Sequence, residues 1–356
     1  MKRTVIVAVA LGFSTASYGQ WLGADSPLIN KTNYLDLANA GERIIAVGEN
    51  GSVVYSEDNG RRWRQAQTPT NALLTSVCFV DDNYGWAVGH DAVVLHTQDG
   101  GLNWSKQYED LFTPETWDDA AAEEEFGMDD MYGDPYADFD DWDEDFDDGA
   151  GDILSFADAP LLGLHCHSRD RVMAVGGFGY YLETSDGGQT WSKAPEKLTN
   201  PEASHLYSIV ALAESGTLFI GGERGILLMS EDEGNSWQTA NSPSTGTFFG
   251  LTPLVGDVLL AYGLQGQVWL TRDHGETWQE LQSGITRGIN DATVMADGTL
   301  VLVTNAGGII TNQGRGTTLT LNYLPDRQSL AAVLPNGEGE VVIAGQNGLR
   351  LVTLKK

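Results

Sequence analysis

Basic residues are scarce in this chain. Lys and Arg number 20 against 50 Asp and Glu, a formal charge of −30. A surface of that sign repels phosphates, which excludes nucleic acid as an expected partner. Long apolar runs are also missing. The one extended run, TVIVAVALGF, begins at Thr4 after Lys2 and Arg3 and is too short for a permanent membrane span. A charged start, a short apolar stretch and the small-x-small site Ser17-Tyr18-Gly19 before Gln20 predict a signal peptide over 1–19 and a mature domain over 20–356. The mature chain is expected to be exported, periplasmic or secreted, and not membrane-spanning. There are only 2 cysteines, Cys78 and Cys166, and none precedes Cys78, so a lipid anchor is not expected. A disulfide between the two is open, but its geometric demands favour two reduced buried thiols.

Glycine is abundant, at 43 residues, and much of it is periodic. The string TSDGGQTW ends at Trp191, and related strings end at Trp63, Trp104, Trp237 and Trp278. In each, an aspartate (Asp58, Asp99, Asp186, Asp232, Asp273) and a glycine (Gly60, Gly101, Gly188, Gly234, Gly275) hold the same places. A further glycine stands upstream at Gly48, Gly89, Gly176, Gly222 and Gly263. Short β-rich runs such as GWAVG and AVVLHT lie between polar turns, which predicts four strands per unit and propeller blades at this period. Two degenerate units follow, with Asn305 and Gly345 in the upstream glycine's place. The expectation is an all-β, seven-bladed β-propeller of four-stranded antiparallel blades.

The last unit ends after its third strand. The segment WLGADSP, residues 21–27, matches WRQAQTP after the first repeat and WQTANSP after a later one. Trp21 is therefore expected to supply the last blade's missing strand and close the ring. A residue repeated once per blade holds up the blade, because one catalytic centre does not need five copies of its acid. The glycines supply turns with φ > 0, the carboxylates take turn amides, and the tryptophans pack between sheets. No catalytic, cofactor-binding or metal residue is assigned.

The pattern Ser/Thr-x-Asp-x-Gly-x-x-Trp resembles the Asp-box, or bacterial neuraminidase repeat. Joined to a preceding AVGxxG, as in GWAVGHDAVVLHTQDGGLNW and VMAVGGFGYYLETSDGGQTW, it resembles the photosystem II assembly/stability factor family of propellers. The resemblance implies a non-catalytic scaffold that binds a protein partner, a membrane complex among the candidates. It also implies a basic patch on one face; Arg224, between Glu223 and Gly225, is either a remnant of that patch or a solvated loop arginine, the second reading being favoured. The chain departs from the photosynthetic members in lacking a lipid-anchor cysteine and in carrying a long acidic insert.

The rival expectation is a carbohydrate-active or glycan-binding Asp-box propeller of the sialidase type. A sialidase needs an arginine cluster, and Arg61, Arg62 and Arg64 crowd the first Asp-box instead. His165 and His167 share a strand face, but no third metal ligand is evident.

Between 109 and 152 stand 20 acids and no Lys or Arg. Such a block repels itself. Three readings stay open: a solvated linker, a cation-binding loop and a partner-binding segment. For the second, an EF-hand is disfavoured because Asp148 and Leu154 occupy the positions of its glycine and glutamate. For the third, Phe139, Trp142 and Phe146 fall on one helical stripe among Asp140, Asp143 and Asp145, and these six residues are the candidate contacts.

Overall fold

The computed structural model describes residues 31–110, 159–312 and 318–354. They form seven antiparallel sheets, six of four strands and one of three. The chain is a seven-bladed β-propeller. Blade 1 runs outward through Tyr34–Ala40, Arg43–Gly48, Val53–Ser56 and Arg64–Gln65. The innermost strands of blades 2 to 7 are Leu74–Phe79, Leu161–Cys166, Leu206–Ala211, Phe248–Leu254, Ile289–Val294 and Leu330–Pro335. Each touches the innermost strand of the next blade, and Leu330–Pro335 touches Tyr34–Ala40, which closes the ring. Blade 7 shows three strands among the described residues; Trp21 and residues 22–27 lie outside them.

The second strand of each blade lies mid-sheet with both faces covered. GWAVG and VMAVG are buried at every position, so they read as continuous apolar runs. The innermost strands are fully buried at only some positions, as at Leu74 and Val77 of LTSVCF, where the bulge after Leu74 breaks simple alternation. Apolar side chains collect into seven clusters, one at each blade interface.

At the end of the second strand, glycine is needed for close approach. A Cβ on Gly89 would stand 2.1 Å from the Leu73 carbonyl oxygen, and one on Gly176 2.1 Å from that of Pro160. The innermost strand is bulged beside this contact in all seven blades. Blade 6 corrects the expected register by one residue. Thr304, not Asn305, pairs with Ile289 in the place that Gly48 takes opposite Tyr34. The left-handed turn glycine sets this register: Gly307 follows Thr304 by the spacing at which Gly51 follows Gly48.

The cysteines also correct the expectation. Cys78 and Cys166 form a disulfide, with Cα atoms 5.9 Å apart. Cys78 pairs with Trp86 and Cys166 with Val172, and both partners point into the blade 2–blade 3 cluster. The two sulfurs thus meet across one interface, which spacing in the sequence alone did not reveal.

Candidate functional site

The antiparallel order gives the ring two unlike faces. Turns between third and fourth strands, where the Asp-boxes lie, occupy one face. Turns between second and third strands, with the connections from blade to blade, occupy the other.

The Asp-box face is built from one motif five times. The Asp186 carboxylate accepts from Thr184 Oγ1 at 2.8 Å, Thr190 N at 2.9 Å and Thr190 Oγ1 at 2.7 Å. Asp232 and Asp273 repeat this with Ser236 and Thr277. Asp58 takes Arg62 N at 2.8 Å and Asp99 takes Asn103 N at 3.0 Å. The glycines Gly60, Gly101, Gly188, Gly234 and Gly275 all have φ between 74 and 88°, where a Cβ is disfavoured. Gly101 has a second constraint, since a Cβ there would stand 2.7 Å from Ile45 of the preceding blade. Trp63, Trp104 and Trp278 donate from Nε1 to their own turn glycine's carbonyl. Each tryptophan packs on the blade before it: Trp63 on blade 7, Trp104 on blade 1, Trp191 on blade 2, Trp237 on blade 3 and Trp278 on blade 4.

Two carboxylates line the central channel and are committed to joining blades. Asp36 accepts from Val77 N of blade 2 at 2.8 Å, Ser76 Oγ at 2.9 Å and Leu37 N at 2.8 Å. Asp291 accepts from Val333 N of blade 7 at 2.8 Å, Ala292 N at 2.8 Å and Tyr262 OH at 3.2 Å. Both keep partial solvent access yet sit within the protein mass. Burial pushes Asp36 up to about 6 and Asp291 up to about 7, with Asp36 adding to the second shift.

A pH dependence follows. Hydrogen bonds from Thr190 hold Asp186 at about 2, and those from Ser236 and Thr277 do the same for Asp232 and Asp273. These groups stabilise the fold above the unfolded carboxylate pKa, and that contribution is lost as pH falls toward 2. For Asp36 and Asp291 the folded pKa is the higher one. Their contribution is complete below about pH 4 and is lost as pH rises through about 6 to 7. Self-repulsion of the −30 chain acts in the same direction. The melting temperature is therefore expected to fall from about pH 4 to about pH 7 and then level off, and Asp291→Asn is expected to flatten that decline. A melting temperature that rises over this interval would contradict the assignment.

The connecting face carries different chemistry. Arg224 sits at the apex of blade 4's second turn with φ 53°, and its side chain is 76% exposed beside Glu202 at 3.6 Å. Close by, four rings form a row across blades 3 to 5. Phe178 meets His205 at 4.7 Å, His205 meets Tyr207 at 6.5 Å and Tyr207 meets Phe249 at 5.8 Å between centroids. Phe178 is 44% exposed. Sequence reading missed this row, although Tyr207 and Phe249 both occupy the bulge position of their innermost strands.

The described roots of the acidic insert stand beside the row. Asp110 pairs with Lys193 and accepts from Tyr180 OH at 2.9 Å, while its amide donates to Asp91 O at 3.0 Å. On the returning side, Gly177 N donates to Pro160 O at 2.8 Å. Phe139, Asp140, Trp142, Asp143, Asp145 and Phe146 lie outside the described residues. His165 and His167 are 6.0 Å apart between ring centroids, and burial and then His167 push His165 down to about 4. Among the described residues no group of three or more His, Cys, Asp or Glu is placed to hold a metal. No described helix is long and apolar enough to cross a membrane.

These features define a class: a seven-bladed propeller of Asp-box repeats, fastened by its carboxylates. The sequence profile of the photosynthesis system II assembly factor YCF48 matches residues 61–123 and 155–323, and the chain belongs to that family. It is 26% identical over 271 residues to the photosystem II assembly lipoprotein Ycf48 of Synechococcus sp. strain CC9902, an alignment covering 63% of this chain and 80% of the relative. A solved YCF48 bound to D1 peptide superposes with a TM-score of 0.62 at 18% identity, over 92% of this chain and 95% of that one. A xyloglucanase from Xanthomonas campestris superposes at 0.64 with 12% identity, over 90% of this chain and 52% of that one. At these identities the structural likeness is one of fold alone.

Proposed function

We propose that this protein is an exported, non-catalytic adaptor that grips a protein partner, a component of a membrane complex, on its connecting face. The observation that carries the reading is the aromatic row from Phe178 to Phe249, exposed at Phe178 and half-buried at His205, Tyr207 and Phe249, beside the roots of the acidic insert. Aromatic residues supply contact area at low entropic cost and are enriched where partners bind. The insert, with Phe139, Trp142 and Phe146 among its acids, is the natural second contact. Asp58, Asp99, Asp186, Asp232 and Asp273 serve as turn fasteners, because their oxygens are already taken by turn amides and hydroxyls. The two channel carboxylates are likewise occupied by backbone amides, which argues against a glycosidase pair. The Cys78–Cys166 disulfide agrees with export, since such bonds persist in oxidising compartments. A relative's capture of a D1 peptide supports a peptide-like ligand on the same fold.

The test is affinity capture from native membranes with the full chain, with Phe178→Ala and with residues 115–150 deleted. The full chain is expected to recover a membrane-complex component. Each variant is expected to lose most of it while melting normally. Undiminished recovery with the deletion would remove the insert from the interface, and undiminished recovery with both would overturn the proposed face.

A further inference from the structure

Blade 5 carries a cleft that the aromatic row does not use. Its volume is 630 Å³, and its walls are the turn Leu264–Gly266 and the connections on either side of the blade. That size suits a small ligand. Its chemistry is unusual for so acidic a chain, because Glu280 is the one charged residue lining it.

The lining is arranged in three parts. Trp269 packs on the cluster between blades 4 and 5 and borders the cleft. Its Nε1 donates to Gln267 Oε1 at 3.3 Å, and Gln267 Nε2 donates to Thr247 O at 2.9 Å. The indole is thus held in place with its N–H satisfied, leaving a ring to offer as an apolar surface. The opposite wall is pinned as well, by Ser283 Oγ donating to Gly266 O at 2.6 Å. Gln265 and Gln282 are exposed and hydrogen-bond to no described residue. Each primary amide offers two donors and an acceptor. Leu264, 43% exposed, adds an apolar rim.

We propose that this cleft binds a neutral oligosaccharide, a function beyond the protein adaptor role. A pyranose ring has an apolar C–H face that covers an indole and a ring of hydroxyls that both donate and accept, as the two free amides do. Glu280 accepts from hydroxyls but repels carboxylates and sulfates, and the chain's overall charge does the same, so the ligand is uncharged. An extended peptide is matched less well. It gains most from a strand edge, and blade 5's outer strand, Gln279–Glu280, offers two residues.

The experiment titrates the full chain with cello-, xylo-, manno- and malto-hexaose by calorimetry and ligand-observed NMR. At least one is expected to bind saturably at millimolar concentration or below, without being hydrolysed. Gln265→Ala combined with Gln282→Ala is expected to weaken binding by about tenfold or more, since unmet sugar hydroxyls are costly, with the melting temperature unchanged. Trp269→Phe, which keeps a ring, is expected to retain more binding than Trp269→Leu. Three results would overturn the proposal: no binding of any neutral hexaose, equal binding by the double glutamine variant, or loss of the captured protein partner in that variant. The last would assign the cleft to the protein partner instead. Partner capture that survives while sugar binding is lost separates this site from the aromatic row.

Discussion

Reduction of the Cys78–Cys166 bond is expected to lower the melting temperature by on the order of 10 °C. The two residues are 88 apart in sequence, so the bond closes a long loop in the unfolded chain. In the chain-entropy account a loop of that length stabilises by about 4–5 kcal/mol, toward the upper end of measured cases. The position adds to the effect. The bond joins the innermost strands of blades 2 and 3, and the loop it closes spans the whole acidic insert. Each member of the pair packs in the cluster with Trp86, Leu161 and Leu182, so its loss is felt at the blade 2–blade 3 interface. The comparison is between oxidised protein, protein fully reduced under native conditions, and Cys78→Ala with Cys166→Ala, with thiol release confirmed by mass. Equal melting temperatures for all three would show that the bond contributes nothing and that packing alone joins the two blades.

Much of this architecture was legible in the sequence, and the reasons are local. An Asp-box states its own turn: an acid, a left-handed glycine and a tryptophan at constant offsets. Five such turns place five blades before any contact is known. The two degenerate units were harder. In blade 6 the Asp–Gly–Trp turn is absent, and the nearest glycine-like landmark suggested Asn305, whereas strand pairing is set by Gly307 and selects Thr304. The disulfide was misjudged because pairing depends on which side of a strand each cysteine faces, and a bulge in each innermost strand shifts that side. The aromatic row was not legible at all. Phe178, His205, Tyr207 and Phe249 come from three blades and meet only when the ring closes. The same holds for Asp36 and Asp291, which look like ordinary acids in sequence yet reach backbone amides of the following blade. Periodic features announce themselves; features made once, by bringing distant strands together, do not.

Trp63→Ala is expected to cost about 3–5 kcal/mol, the usual range for removing a buried tryptophan. Trp63 is 8% exposed and belongs to the cluster that joins blade 1 to blade 7 through Val342, Ala344 and Leu349. The contact is close, because a Cβ on the neighbouring Gly60 would stand 2.8 Å from Val342. The tryptophan of the first repeat therefore clamps the last blade. A double-mutant cycle between Trp63→Ala and Val342→Ala, read by denaturant unfolding, measures that clamp directly. If the Asp-boxes fasten neighbouring blades and the first one locks the ring, the two substitutions couple by about 1 kcal/mol or more. Strict additivity, with Trp63→Ala near neutral, would mean that the repeated turn does not hold the ring shut.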